Sequence, residues 1–525
     1  MSDIEKKMTD EKVEPVASIT EADIGTNNLI TTITSVHGRE VQVTGDVDEA
    51  MRLALKSKGM VIDAATNKRI LRKIDMYMLP LCCFLYACQF MDKTSNSLAS
   101  IMGLRTDLNM VGDQYSWTGT AFYLGYLFFE FIASFILQRF PLAKTTSIFI
   151  VFWGIILCLH ATPNYAGFVF LRTVLGMAES SVTPAMVMIT SQWWKKDENF
   201  LRTAFWFASN GFGTIMGSSI AYGLAKHADS YSIAPWKILF VVVGLMTICV
   251  GIIFWFHIPN TPAEAWFLTE EEKLLVVERI RSNQQGFGNK HFKKSQFIEA
   301  LRDYRTWLFF VFALAQDIPN GSLTNFGSIL MNEDFGYTTL ESLKMGMIPG
   351  AIELVGCIAC AACVGFVKHR LGVSLFVCAF NVACSCMLAF AKDNKQARLT
   401  GYFLLTLQPV GFFCILSSFA ANTAGHTKKV TVNAIYLIGY CVGNLIGPQT
   451  FIASQAPSYS GGKIAMVVGY AVSFVLLIAI YASYYYDNKA RDQAELERGG
   501  PAQLIENAEF ADLTDFENPN FRYSL

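Results

Sequence analysis

The sequence predicts an all-α membrane protein with twelve transmembrane helices in two six-helix halves. Three observations carry this. Of 525 residues, 52% are apolar and only 16% are charged, where a soluble protein carries about 25% charged residues. The apolar residues fall in runs long enough to cross a bilayer, which takes about 20 residues each. The polar residues concentrate in three blocks, 1–75, 258–306 and 487–525, so the modest mean hydropathy of +0.34 averages two kinds of segment. A net charge of −1 points to no nucleic-acid partner and to no polybasic surface binder.

Spans are expected at 76–99, 115–138, 144–161, 165–190, 201–226 and 236–257, then at 307–331, 344–367, 372–391, 399–422, 431–453 and 463–486. The first apolar run begins near Met76 behind a long polar tail, so no signal peptide is expected. Residues 1–75 read as a largely disordered cytoplasmic tail, 76–257 and 307–486 as the two halves, 258–306 as a cytoplasmic loop and 487–525 as a cytoplasmic tail. Basic residues in short loops stay inside. With the N-terminus inside, 23 Lys and Arg flank the inner face and 8 the outer. The loop run Leu268-Thr269-Glu270-Glu271-Glu272-Lys273 places Thr269 as the cap of a short amphipathic helix. All 13 cysteines lie in apolar runs, where they act as small hydrophobes. Cys357, Cys360 and Cys363 have a metal-like spacing, but no further ligand completes a set, and no metal is expected.

The fifth span of each half carries two glycines four apart, Gly213 and Gly217, then Gly443 and Gly447. Such pairs let helix backbones approach closely. With the six-loop-six layout they point to two parallel repeats, as in major facilitator transporters.

An ionisable side chain inside a span is expensive and marks function by default. The spans hold Asp92, Lys93, Glu130, Arg172, Glu179, Asp317 and Glu353. At 1.5 Å per residue, Asp92 and Lys93 lie roughly 20–25 Å from the inner face and Arg172 about 10 Å from the outer one, nearly one level. Arg172 and Glu179 share a helix face, with Gly176 between them. The first and fourth spans can present two acids and two bases to one cavity; the alternative is a set of mutually neutralising structural pairs. Glu130 reads mainly as a structural hydrogen-bonding group. The run Gln316-Asp317-Ile318-Pro319-Asn320-Gly321 predicts a break in the seventh span. Broken helices are tolerated where they line a cavity. Gln316 and Asn320 are therefore candidates to bind substrate, and Asp317 and Glu353 are secondary candidates for the proton.

Several runs resemble the fungal allantoate permease family, the anion:cation symporters of the major facilitator superfamily. They are Gln89-Phe90-Met91-Asp92-Lys93, Gly103-Leu104-Arg105-Thr106-Asp107-Leu108, Asp113-Gln114-Tyr115-Ser116-Trp117, Ser282-Asn283-Gln284-Gln285-Gly286-Phe287-Gly288, Ile318-Pro319-Asn320-Gly321, Gly447-Pro448-Gln449-Thr450-Phe451 and Asp512-Leu513-Thr514-Asp515-Phe516-Glu517-Asn518. Together they cover the chain from about residue 45 to its end. The runs Trp193-Trp194-Lys195-Lys196-Asp197 and Ala424-Gly425-His426-Thr427-Lys428-Lys429 look closest to the yeast branch with allantoate permease and the thiamine-pathway transporter.

The resemblance implies proton-coupled uptake of a small organic anion such as allantoate, ureidosuccinate or a vitamin-like acid. It implies anion binding by Lys93 and Arg172 and proton coupling by Asp92 and Glu179. The chain departs from distant relatives in carrying Lys93 where they carry Arg; a lysine lacks the bidentate fork, so their carboxylate geometry does not transfer. The loop motif between the second and third spans is also degenerate, with only Arg139 and Lys144 recognisable. The remaining expectations are a monomer in the plasma membrane, an internal membrane being the alternative, with no cofactor beyond the coupling proton and no enzyme activity. Competing readings are a transporter of thiamine or its precursor, and a nutrient-sensing homologue.

Overall fold

Lipid offers no hydrogen-bond partners, so apolar runs close their backbone bonds internally as helices. The computed structural model describes residues 29–34, 40–44, 62–162, 164–281, 293–367, 369–498 and 513–525. Within the tail expected to be largely disordered, β1 (Leu29–Thr34) and β2 (Glu40–Thr44) form an antiparallel hairpin. The rest of that tail before residue 62, and the run Ser282–Gly288, lie outside the described residues.

The first half consists of α1 (Ala64–Ala99), α2 (Gln114–Arg139), α3 (Leu142–Leu159), α4 (Tyr165–Glu179), α5 (Val182–Trp193), α6 (Lys196–Lys226) and α7 (Pro235–His257). Two loop helices follow, α8 (Glu270–Arg281) and α9 (Lys294–Arg302). The second half consists of α10 (Tyr304–Ile329), α11 (Thr339–Met345), α12 (Met347–Val367), α13 (Arg370–Phe390), α14 (Lys395–Leu404), α15 (Gln408–Asn422), α16 (His426–Gln449) and α17 (Ser460–Arg498). The pairs α4–α5, α11–α12 and α14–α15 are each one span. Among the described residues, nine helices are long and apolar enough to cross a membrane. The spans that fall short are α4–α5, α6 and α10, which are broken or carry polar side chains.

Two helix starts show how local sequence sets the ends. Asp63 caps α1, its carboxylate accepting the Thr66 N–H at 3.1 Å, so that helix begins before the apolar run does. Thr269 caps α8 as expected: it accepts the Glu272 N–H at 3.3 Å, and the Glu272 carboxylate accepts the Thr269 N–H at 3.0 Å.

The paired glycines do the same job in both halves. A Cβ on Gly213 would lie 2.1 Å from the Ala87 carbonyl of α1, and one on Gly217 would lie 3.0 Å from Met91. In the second half, Gly443 and Gly447 meet the Leu314 and Ile318 carbonyls of α10 at 2.4 and 2.5 Å. The fifth span thus lies against the first in each half, as a repeat requires.

The helix break occurs elsewhere than expected. Pro319 lies inside a continuous α10. It leaves the Ala315 carbonyl without its intrahelical donor, and Gly469 of α17 closes over that carbonyl and the proline ring. Beyond the one-residue gap at Gly346 between α11 and α12, the interruptions fall in the fourth span of each half, at Ser180–Ser181 and at Leu405–Leu407. Pro184 and Pro409 stand just after them, in the first turn of α5 and α15, where a missing N–H costs no helical bond. The Ser180 and Ser181 hydroxyls donate to the Met177 and Ala178 carbonyls left at the end of α4, at 2.8 and 3.0 Å.

Helices α2 and α4 touch backbone to backbone. A Cβ on Gly176 would lie 1.9 Å from the Phe122 carbonyl, and one on Gly125 the same distance from the Thr173 carbonyl. Gly176→Ala should therefore cost about 1–3 kcal/mol through overpacking. Gly223→Ala, where a Cβ meets nothing within 4 Å, should not destabilise. Thermal midpoints of the purified variants compare the two.

The start of α1, the loop helices α8 and α9 and residues 513–525 gather at one face. Glu272 of α8 receives Lys73 of α1 at 2.7 Å, and Arg279 of α8 bonds Asn67 of α1 and pairs with Glu198 of α6. Burial raises the Glu272 carboxyl, but the bonds from Lys73 and Thr269 outweigh it and hold the group below its ordinary value. Under the second half, Lys428 pairs with Asp515, Glu299 and Asp303 at 2.8, 3.0 and 3.3 Å. Arg491 donates to the Asp515 carbonyl at 2.9 Å, and Tyr523 stacks on Tyr484. Each half is thus tied to its own stretch of loop or tail.

Candidate functional site

A cavity of about 160 Å³ lies between the halves. Its wall is built from Gln89, Lys93 and Ser97 of α1, Tyr123 and Tyr126 of α2, and Asn210 and Thr214 of α6. The second half contributes Asp317 and Asn320 of α10, Glu353 of α12, Gln408 of α15 and Tyr440 of α16. Thr183, Thr406 and Pro409, beside the two interruptions, also line it.

Contacts between the halves lie on both sides of the cavity. Away from the termini, the Tyr115 hydroxyl donates to the Asn325 carbonyl at 2.7 Å and Asn96 bonds the Asn325 side chain at 3.3 Å. Beyond them Arg105 pairs with Glu333 at 2.7 Å, and the Tyr459 hydroxyl bonds the same carboxylate at 2.8 Å. Toward the termini, Phe207 meets Phe412 with ring centroids 5.2 Å apart, and Tyr126 meets Tyr440 at 6.3 Å.

Among the described residues, Lys93 is the one cationic side chain on the cavity wall. Its Nζ lies 4.0 Å from Glu179 Oε2 and 5.9 Å from the Phe122 and Tyr126 rings. Asp92, Arg172 and Glu179 are buried behind it, outside the wall. Successive residues on a helix point about 100° apart, so Asp92 turns into the first half when Lys93 faces the cavity. The Asp92 and Glu179 carboxylates are fully buried. Arg172 Nε donates to the Thr118 carbonyl at 3.3 Å, and its guanidinium lies over the Phe122 ring at 5.3 Å. The four charges do cluster, but Arg172 is packed on α2 and Glu179 lies against Lys93 of α1, and neither lines the cavity.

The same rotation separates the candidates on α10. Asp317 and Asn320 line the wall, and Asn320 donates to Asn444 at 2.9 Å. Gln316 points the other way: its side-chain oxygen accepts from the Cys378 thiol at 3.6 Å, and Gln408 donates to its backbone carbonyl. Glu353 lines the wall too. Of the four residues expected to touch substrate, Lys93 and Asn320 are so placed, and Arg172 and Gln316 are not. Glu130 accepts from the Cys441 thiol of α16 at 3.6 Å, across the contact between halves.

The family model of the Major Facilitator Superfamily matches residues 82–448. The chain belongs to this superfamily. Allantoate permease of Saccharomyces cerevisiae is 49% identical over 521 residues, covering 97% of this chain and 96% of that one. Thiamine pathway transporter THI73 of the same yeast is 33% identical over 87% of this chain and 86% of its own length. MFS-type transporter cnsL of Penicillium expansum is 30% identical over 91% and 93%. Within the superfamily the chain therefore belongs with the fungal allantoate permease family. A bacterial homologue of the human lysosomal transporter Spinster, in an inward-facing unoccupied state, shares the fold with a TM-score of 0.54 at 14% identity, over 78% of this chain and 98% of that one.

This facilitator is a multi-pass integral membrane transporter of a small molecule, and not an enzyme. Its cavity holds polar groups that a search for charged residues passes over: Tyr123, Tyr126, Tyr440, Asn210 and Gln408. Extending the search to amides and hydroxyls would have flagged them, because lipid satisfies neither.

Proposed function

We propose that this facilitator takes up a small organic carboxylate together with protons across the plasma membrane, as a monomer with both termini in the cytoplasm. The observation that carries the reading is Lys93, the one cavity-wall cation among the described residues, held by the buried acid Glu179. Asp92, Glu179, Lys93 and Arg172 sum to zero when both acids are ionised. A proton on Glu179 leaves Lys93 without its partner, and a buried charge without a partner is strongly disfavoured. A substrate carboxylate takes the vacated place. Return of the proton to the cytoplasm restores the Lys93–Glu179 pair and releases the anion. Arg172, bonded to Thr118 and covered by Phe122, keeps a positive charge behind Glu179 throughout. The halves rock about the cavity, each stiffened by its own loop or tail at the terminal face.

Asn320, Asn210, Gln408 and the tyrosine hydroxyls supply donors and acceptors for the N–H and C=O groups of a compound such as allantoate, the cargo in the name of the 49% identical yeast permease. One observation favours a second reading: Asp317 and Glu353 face the cavity with no cation beside them, as a carrier of thiamine or its precursor would want. The position of Lys93 on the wall opposes it. Uptake of a labelled anion panel by a transporter-deficient cell, at two pH values, tests the choice. The carboxylate should compete, more strongly at acid pH, and its amide or ester should not. Equal transport of a neutral or cationic compound would overturn the anion reading.

A further inference from the structure

The spanning helices hold more acids than bases. Away from both faces lie Asp92, Glu130, Glu179, Asp317 and Glu353, none more than 4% exposed, against Lys93 and Arg172. The two cations balance Asp92 and Glu179, and Glu130 has its thiol donor. Asp317 and Glu353 remain, both on the cavity wall, and among the described residues each has an oxygen that no hydrogen bond reaches.

Among the described residues, their surroundings supply no charge to offset them. The ionisable groups around Asp317 are Tyr123 of α2, Tyr436, Tyr440 and Cys441 of α16, and Tyr470 of α17. Glu353 has the thiol of Cys357 one turn along its own helix, and among the described residues no charged group reaches it from α6, α13 or α15. Across the cavity, the cationic wall residue among those described is Lys93, already held by Glu179. Two unbalanced carboxylates in such a space would repel an incoming anion at close range and low dielectric. As neutral acids they would instead present O–H donors to it.

We infer that Asp317 and Glu353 form a second proton-loading site, on the half opposite Lys93, which must be loaded before the anion binds. The inference rests on the anion reading above and adds protons beyond the one taken by Glu179. It makes anion binding steeper in pH than one group allows, since each proton taken up with the substrate changes apparent affinity by about tenfold per pH unit.

The test is KM for the transported anion between about pH 5 and pH 8, at clamped membrane potential, in wild type, Asp317→Asn, Glu353→Gln and the double variant. Wild-type KM should rise by more than about tenfold per unit at the alkaline end. Each neutral substitution should flatten that slope and lower KM at about pH 8 by roughly tenfold, because the position can no longer acquire charge. Glu353→Asp, which still titrates, should keep the steep slope and shows that a flattened one is not damage to the fold. Two outcomes overturn the inference while anion uptake by wild type stands: variants that keep the wild-type slope, and variants whose KM rises equally at every pH, which would make these acids ligands of a donor group on the substrate. Preference of the wild type for a cation would overturn both readings.

Discussion

Lys93→Ala should lower uptake of the anion at least about a hundredfold, with the protein still inserted and folded. The side chain is the one cation on the wall among the described residues, and its partner Glu179 is fully buried. Removing one member of a buried pair costs about 3–5 kcal/mol, and each 1.4 kcal/mol is about a factor of ten. Protonating Glu179 can relieve the orphaned acid, so folding survives; nothing then remains to hold the carboxylate. Lys93→Arg should retain part of the activity with altered selectivity, because the charge stays while the point ammonium becomes a planar fork. Uptake by Lys93→Ala within about threefold of wild type at every pH would remove Lys93, and the anion reading with it, from the mechanism. Surface abundance measured alongside separates loss of transport from loss of protein.

Accumulation against a gradient should collapse in Glu179→Gln, by about tenfold or more, while exchange of internal for external substrate survives. Glutamine keeps the shape and some hydrogen-bonding capacity of the acid but cannot take up or release a proton. Lys93 then lacks its carboxylate partner in every state, so an anion can bind, yet the Lys93–Glu179 pair that would displace it inside no longer re-forms. The pH dependence contributed by this position should vanish, leaving the slope assigned to Asp317 and Glu353. Counterflow and net uptake in the same vesicles read the two behaviours separately. A variant that still concentrates substrate with wild-type pH dependence would move the coupled proton elsewhere, with Asp92 the next candidate. Asp92 is as deeply buried as Glu179.

Helix α10 shows how far a linear reading reaches. Its polar run Gln316 to Gly321 stands out because such residues are costly in lipid, and that signal placed the run at a cavity. The proline in it predicted a break, yet the helix is continuous, because Gly469 comes close enough to cover the Ala315 carbonyl that Pro319 leaves unbonded. No residue near Pro319 in the sequence announces a glycine 150 positions away. In the fourth span of each half a proline does coincide with an interruption, at Pro184 and Pro409. There the proline falls in the first turn of the following helix, a position that depends on where that helix starts.

The sequence by itself determined the twelve spans, the two halves, the membrane setting, the family and the inventory of buried charge. All of these follow from the kinds of residue present and their order, because burial of charge and length of apolar run are properties of single segments. The tertiary structure decided which member of each adjacent pair meets the cavity: Lys93 and not Asp92, Asp317 and not Gln316. It also set Arg172 behind the wall and joined Asn96 to Asn325 across the halves. Neighbouring residues point about 100° apart on a helix. The rotation of each helix about its own axis is fixed by close contacts such as Gly176 on Phe122 and Gly443 on Leu314, between residues far apart in the chain.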